Sequence, residues 1–141
     1  MERAEIMQYF LAKTDPETYG IGDFEKEKTT TWNGVKNPQA VAALKAMAKG
    51  DRVIIYHSQG ESAIVGLAEV VGNGRPDFKE QKSWLVDFKF LRKFSEPYVT
   101  LAHIKSSGLF NDFILVRQGR LSTMAVPEKF VAWLKKKGLK V

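Results

Sequence analysis

The sequence contains no cysteine and only two histidines among its 141 residues. A chain without cysteine forms no disulfide, no zinc–thiolate site and no thiol nucleophile, and His57 and His103 alone do not predict a histidine-based metal site. No apolar run approaches the ~20 residues of a membrane helix. The acidic residues 1–5 do not resemble a secretory signal. These absences predict a cytoplasmic protein that uses neither a metal nor a cofactor.

The usual catalytic signatures are also missing. The sequence has no Gly-rich phosphate loop, no nucleophile elbow, no His-Glu-x-x-His and no pair of carboxylates at strand or helix spacing. His57 and Ser58 are neighbours in a predicted strand, so their side chains point to opposite faces and do not form a nucleophilic pair. The residues therefore favour a binding protein over an enzyme.

Charge is unevenly distributed along the chain, whose formal net charge is +6. Residues 1–72 carry 8 basic and 10 acidic side chains, whereas residues 73–141 carry 14 basic and 6 acidic ones. The basic half indicates either a surface that faces a polyanion or a solvated surface without a partner, and charge alone does not choose between them. Lys135, Lys136 and Lys137 end a predicted helix, where they complement its dipole.

Hydrophobic patterning predicts an α+β fold in a single domain spanning residues 1–141. Strands are predicted over 7–14, 52–58, 63–71, 84–93, 114–116 and 123–126, helices over 38–49, over 101–105 and after Pro127, and a weak helix or turn over 21–26. Glu96-Pro97 predicts a turn, and Gly66 predicts a bulge or a close approach of another group. Five or six strands with flanking short helices favour a mixed, strongly bent sheet that closes toward a barrel.

Residues 30–39 place a tryptophan in a predicted polar loop. Asn33-Gly34 permits a tight turn, Asn37 can cap the next helix and Pro38 suits its first position. A flat indole beside hydroxyl and amide groups suits a nucleobase. The alternative is that Trp32 plugs the end of the core, and the loop by itself favours this alternative.

Further polar residues stand at the predicted strand ends and in the loops beside them, where small barrels often bind ligands. Each also has a local explanation, because Lys13 could be solvated, Tyr56 could belong to the core and Arg117 could pair with a surface acid. The residues in question are Lys13, Thr14, Trp32, Asn33, Tyr56, His57, Ser58, Arg117, Gln118 and Arg120.

Four segments match one known family in order and spacing. They are residues 9–16, residues 30–40, the predicted hairpin 56–70 and the Val-Arg-Gln-Gly-Arg-Leu-Ser run at 116–122. Together they resemble the EVE-domain family over nearly the whole chain. The chain departs from the family pattern where Thr14 replaces Ser, Asn33 replaces Asp, Pro38 replaces an aromatic residue and Met124-Ala125-Val126 replaces Val-Gln-Pro-Val.

The resemblance implies a PUA-like mixed β pseudobarrel, similar to YTH and ASCH domains. It also implies a module that binds DNA or RNA and holds a modified base in an aromatic pocket at the barrel mouth. Phosphate contacts would come from Lys13, Arg117 and Arg120. Base contacts would come from Lys13, Thr14, Trp32, Asn33, Gly34, Val35, Asn37, Tyr56, His57, Ser58, Gln118 and Ser122.

Two alternatives remain open from the sequence. Some ASCH-like relatives resemble small amidohydrolases that act on modified nucleosides through Lys and Thr, a pair that Lys13 and Thr14 could supply. The other alternative is a protein-interaction module without nucleic acid, in which the basic half keeps the chain soluble.

Overall fold

The computed structural model describes residues 7–95 and 99–141, so the turn predicted at Glu96-Pro97 lies outside the described residues. The strands are β1 (Tyr9–Thr14), β2 (Thr29–Trp32), β3 (Arg52–His57), β4 (Ala63–Val70), β5 (Arg75–Pro76), β6 (Trp84–Lys93), β7 (Val99–Thr100) and β8 (Thr123–Val126). The helices are α1 (Pro16–Tyr19), α2 (Ile21–Glu27), α3 (Pro38–Ala46), α4 (Leu101–Ser107), α5 (Ile114–Arg117) and α6 (Glu128–Lys136).

One mixed sheet organises the chain in the order β2-β6-β4-β3-β1-β8, and the short β5 and β7 attach to β6 and β4. β1 pairs with β3 in parallel, and the other pairs along this path are antiparallel. The predicted mixed α+β fold is confirmed. The sheet path is open rather than closed, with β2 and β8 at its two ends. Helix α3 contacts both β8 and β6, so the sheet curves around this helix.

The predicted hairpin is formed by β3 and β4, and it contains a bulge. Ile55 pairs with Gly66 and Tyr56 pairs with Ile64, which leaves one extra residue on β4. A Cβ atom on Gly66 would collide with the Ile21 side chain and would lie 2.9 Å from the Arg92 carbonyl oxygen. The close approach predicted for this glycine is therefore confirmed, and it lets α2 pack directly on the sheet.

Three predicted elements are corrected by the structure. Residues Thr29–Trp32 form strand β2 and not a loop, because they pair with β6 in register from Thr29–Lys89 to Trp32–Val86. Residues Ile114–Arg117 form helix α5 and not a strand, with the N–H of Gln118 bonded to the Ile114 carbonyl. Helix α3 ends at Ala46 rather than at Lys49.

Helix α4 begins at Leu101 as predicted but ends at Ser107 rather than at Lys105, and α2 ends at Glu27, one residue beyond its prediction. Thr100 caps α4 by accepting a hydrogen bond from the His103 N–H, and Gly108 ends it in the left-handed conformation. In α6 the side chains of Phe130, Val131 and Leu134 are buried as predicted. Within residues 7–95 and 99–141, every helix is too short or too polar to cross a membrane. Over the same ranges, His, Cys, Asp and Glu side chains form no group that could hold a metal ion.

Candidate nucleic-acid interface

A cavity of about 700 Å³ opens where the end of β1 meets the end of β2 and the loop that leads to α3. It gathers residues from three separate parts of the chain, namely 13–19, 27–37 and 122. Its lining residues are Lys13, Thr14, Asp15, Thr18, Tyr19, Glu27, Thr30, Thr31, Trp32, Asn33, Gly34, Val35, Lys36, Asn37 and Ser122. The structure therefore brings together most of the residues that the family resemblance assigned to base binding.

Two aromatic side chains form one wall of the cavity. Trp32 is only 8% exposed and packs on Phe88 with the ring centroids 5.1 Å apart. Tyr19 meets Trp32 edge-on, with a centroid distance of 6.4 Å. The cavity thus has an aromatic side that is held in place by packing against the core.

Tyr19 is a lining residue that the sequence did not predict. Its hydroxyl donates a 2.6 Å hydrogen bond to the Glu27 carboxylate. Burial of the phenol and this hydrogen bond raise the pKa of Tyr19 to about 12, so the hydroxyl stays protonated. Tyr19 and Glu27 reach the cavity from the short helices α1 and α2. Only the tertiary packing of α1 and α2 shows that Tyr19 and Glu27 line the cavity, although Asp15-Pro16 marks the start of α1 in the sequence.

The polar rim uses part of its hydrogen-bonding capacity to hold the local fold. Thr14 Oγ1 donates to the Tyr19 carbonyl at 2.7 Å. Asn37 Oδ1 accepts from the N–H groups of Gln39 and Ala40, so Asn37 caps α3 as predicted. Because its oxygen is occupied by the helix, Asn37 offers a ligand only its amide N–H groups. Gly34 has a φ of 77°, the left-handed turn that the Asn-Gly pair predicts.

Lys13 connects the cavity to the loop between α5 and β8. Its Nζ donates to the Gly119 carbonyl at 2.7 Å and lies 5.5 Å from the centre of the Tyr56 ring. Its backbone N–H bonds to the Ser122 carbonyl at 2.8 Å. Burial lowers the pKa of Lys13. Since Lys13 Nζ and Thr14 Oγ1 donate to different carbonyls, their geometry gives no support to the nucleophile–base pair of an amidohydrolase.

The structure does not place Tyr56, His57 or Ser58 in the cavity lining. Tyr56 is 2% exposed and belongs to the core. The Nε2 atom of His57 accepts a 3.1 Å hydrogen bond from the Ile21 N–H and so serves the start of α2. Burial and the nearby charge of Lys93 lower the pKa of His57. These residues lie beside Lys13 and Thr14 along β1, but their side chains serve packing and capping.

Arg117, Gln118 and Arg120 are exposed at the end of α5 and in the following loop, outside the cavity lining. The Gly119 carbonyl accepts a hydrogen bond from Lys13, which lines the cavity. Arg120, the next residue, therefore lies on a segment that contacts the cavity lining. Within residues 7–95 and 99–141, neither Arg117 nor Arg120 makes an ion pair. The pairing with a surface acid that the sequence allowed for Arg117 is therefore not found there. Both guanidinium groups are available to an anionic ligand.

The fold is a mixed sheet flanked by short helices with a cavity at the end of β1, and comparison with known families identifies it. The family described as the EVE domain matches residues 8–137. The chain belongs to the EVE domain family, as its sequence motifs predicted.

Proteins called thymocyte nuclear protein 1 are among the relatives. The Gallus gallus protein is 30% identical over 129 residues, which cover 72% of this chain and 53% of the relative. The Homo sapiens protein is 27% identical over 160 residues, which cover 88% of this chain and 71% of the relative. The chain thus spans about half the length of the chicken relative and more of the human one.

Solved structures share the fold closely. A hypothetical protein from Leishmania major has a TM-score of 0.86 and 32% identity, with 96% of each chain covered. The human THYN1 protein, solved in complex with DNA containing 5-methylcytosine, has a TM-score of 0.82 and 25% identity, with 95% of this chain and 99% of that chain covered. A DNA complex is thus known for one structural relative.

Proposed function

We propose that this chain binds nucleic acid and holds a modified base in the cavity walled by Trp32 and Tyr19. The observation that carries the proposal is the cavity itself, an aromatic wall rimmed by hydrogen-bonding groups at the place where three of the four EVE motifs meet. The complex of the human relative with 5-methylcytosine DNA supports the same class of ligand.

The cavity residues match the chemistry of an extruded base. Stacking of a base on an aromatic face contributes ~1–3 kcal/mol. The Asn37 amide donates hydrogen bonds, the Glu27 carboxylate accepts them and Asn33 does both, so the edge of a base can be read on each side. A buried methyl group adds only about 0.8 kcal/mol, which means that preference for a methylated base requires close fit as well as stacking.

Phosphate contacts would come from Lys13, Arg117 and Arg120. Lys13 already points its ammonium toward the loop that carries Arg120, through the bond to Gly119. Cations on neighbouring segments attract a phosphodiester backbone and supply salt-dependent affinity that is independent of sequence.

The test measures binding of the wild-type protein to oligonucleotides with and without 5-methylcytosine, single- and double-stranded, at two salt concentrations. We expect tighter binding to the methylated strands and weaker binding at the higher salt. Asn33→Ala removes an exposed side chain from the cavity rim, and we expect roughly 2- to 10-fold weaker binding, the loss of one hydrogen bond.

Asn111→Ala is the matched control, because Asn111 is also an exposed asparagine but does not line the cavity. We expect it to bind like the wild type. Equal affinity of the wild type for methylated and unmethylated strands would contradict the modified-base proposal. Absence of binding to every strand would contradict nucleic-acid binding itself.

A further inference from the structure

Phe78 is 97% exposed, the most exposed of the large hydrophobic side chains in the described residues. It lies in the loop 77–83 between β5 and β6. Single exposed hydrophobic residues are ordinary on protein surfaces. The surroundings of Phe78 nevertheless distinguish it, because the loop is held by hydrogen bonds, carries two lysines and is linked to a residue that lines the cavity.

Hydrogen bonds within the loop hold Phe78 on a defined turn. The Asp77 side chain accepts from the Lys79 N–H at 2.9 Å, and the Asp77 carbonyl accepts from the Glu80 N–H at 3.2 Å. The Ser83 N–H then bonds to the Glu80 carbonyl at 3.0 Å. A ring presented on such a turn loses little conformational entropy when it enters a partner.

An ion pair fixes the position of this loop relative to the cavity. Lys36, which lines the cavity, lies 3.2 Å from the Glu80 carboxylate. Phe78 is two residues from Glu80, so their Cα atoms are at most about 7.6 Å apart. Trp32 at the end of β2 pairs with Val86 near the start of β6, so the loop that carries Phe78 lies at the same end of the sheet as the cavity.

The loop itself carries no net charge, but Asp77 accepts a hydrogen bond from the Lys79 N–H and Glu80 pairs with Lys36, so the lysines of the loop are the cations left for a phosphodiester backbone. Lys79 follows Phe78 directly, and Lys82 lies in the same loop. Lys82 also shares a surface groove with Lys36 and Lys45. An aromatic side chain with lysines nearby is a combination that nucleic-acid-binding surfaces use for stacking and phosphate contact.

We propose that Phe78 is a stacking wedge, which enters a DNA duplex at the step from which the base has been extruded into the cavity. The inference rests on the proposed function and extends it to a double-stranded ligand. Extrusion leaves a gap in the base stack, and an inserted aromatic ring replaces part of the lost stacking. A single strand has no such gap, so it needs the wedge much less.

The test compares Phe78→Ala with Leu109→Ala, a control at an exposed hydrophobic residue that does not line the cavity. The probes are a DNA duplex with one 5-methylcytosine and the same methylated strand alone. We expect Phe78→Ala to weaken duplex binding roughly 5- to 150-fold, the loss of one base–aromatic stack, with single-strand binding within about twofold of wild type. Phe78→Trp should retain duplex binding.

The outcomes separate this inference from the proposed function. Wild-type binding of the methylated strands together with unchanged duplex affinity of Phe78→Ala would overturn the wedge and leave the proposed function standing. Equal losses on duplex and single strand would also overturn it, because Phe78 would then be a general contact. Failure of the wild type to bind either probe would overturn the proposed function, and the wedge with it.

Discussion

Trp32 faces two different surroundings. Phe88 and Tyr19 pack against its indole, and the remaining accessible surface borders the cavity. The two interpretations that the sequence left open, core plug and cavity wall, therefore both describe part of this side chain. A change at Trp32 is expected to affect folding and binding together.

We expect Trp32→Ala to lower the free energy of unfolding by about 3 kcal/mol, the low end of the range for a buried tryptophan, because the cavity side offers no packing. Selective binding of methylated oligonucleotides should be lost. Urea unfolding and oligonucleotide titration measure the two effects.

Trp133 provides the matched control for Trp32. It is partly buried on α6 against Phe110 and Phe130 and does not line the cavity. Trp133→Ala should destabilise the fold while the folded protein keeps its selectivity. Retained selectivity in Trp32→Ala would refute the role of Trp32 in base binding.

His57 should make stability depend on pH. Burial and then the charge of Lys93 lower the pKa of His57 from its ordinary value of 6.5, so below that pH the unfolded state binds more protons than the folded state. Stability should therefore rise with pH from the lowered pKa up to 6.5 and should fall on acidification. Unfolding curves recorded between about pH 7.5 and about pH 5 measure this.

His57→Gln is the control for this pH effect, because the glutamine oxygen can still accept from the Ile21 N–H and does not titrate. Carboxylates shared by the two proteins contribute equally, so the wild type should lose more stability than the variant over that interval. Parallel losses in both proteins would show that His57 does not contribute.

Asp51 joins three elements although it is almost completely buried. Its carboxylate accepts hydrogen bonds from the Gln8 N–H at 3.1 Å and from the Ala48 N–H at 2.9 Å. Its backbone carbonyl accepts from the Val70 N–H at 2.9 Å. Asp51, which follows the left-handed Gly50, thus links the end of α3 to the start of β1 and the end of β4 through hydrogen bonds.

We expect Asp51→Ala to lower the free energy of unfolding by about 2 to 4 kcal/mol, because it leaves two backbone donors without this acceptor. Asp51→Asn keeps one oxygen acceptor and should lose about half as much. Denaturant unfolding measures both variants. A loss below about 0.5 kcal/mol for Asp51→Ala would mean that water replaces the carboxylate.

Long elements could be predicted from sequence because their patterns are self-contained. The β-branched and alternating runs of β3, β4 and β6 locate those strands to within a residue or two. The predictions for the four-residue elements β2 and α5 were wrong, because so short a segment takes its conformation from its neighbours. β2 is a strand only because β6 lies beside it, and α5 is a helix that buries Leu115 in the core.

The cavity was predictable only in part, for the same reason. Lys13 stands at the end of β1, a strand that the sequence pattern locates, whereas Trp32 was assigned to the site through its family motif although β2 was predicted as a loop. Tyr19 and Glu27 line the cavity from the short helices α1 and α2. Helix α2 packs closely on the sheet because Gly66 has no side chain. Tyr56 is the register partner of Lys13, yet its side chain belongs to the core.

Two groups of basic residues from the second half of the chain lie at different places on the molecule. Arg117 and Arg120 lie on the segment bonded to Lys13, whereas Lys135 and Lys136 end α6, where they complement the helix dipole. Lys135 also lines a second, mainly apolar groove beside β1 and β8. Net charge alone therefore does not locate an interface.

We expect Arg117→Ala and Arg120→Ala each to weaken duplex binding and to reduce the slope of log affinity against log salt by about 0.9, the value of one phosphate contact. Lys136→Ala, which removes an exposed cation from α6, should leave the slope nearly unchanged. Equal effects at all three positions would indicate a diffuse basic surface and would refute an organised backbone contact.

The pairing of β1 with β8 has a consequence for the order in which the domain can mature. Tyr9 is in register with Val126, so β1 lacks one of its two neighbouring strands until β8 has been made. Ser122, which lines the cavity and bonds to Lys13 through its carbonyl, arrives with that last strand. A nascent chain therefore exposes a free edge on β1 and lacks a finished cavity until residues beyond 126 have emerged. The cavity is therefore completed only after β1 to β7 have all been synthesised.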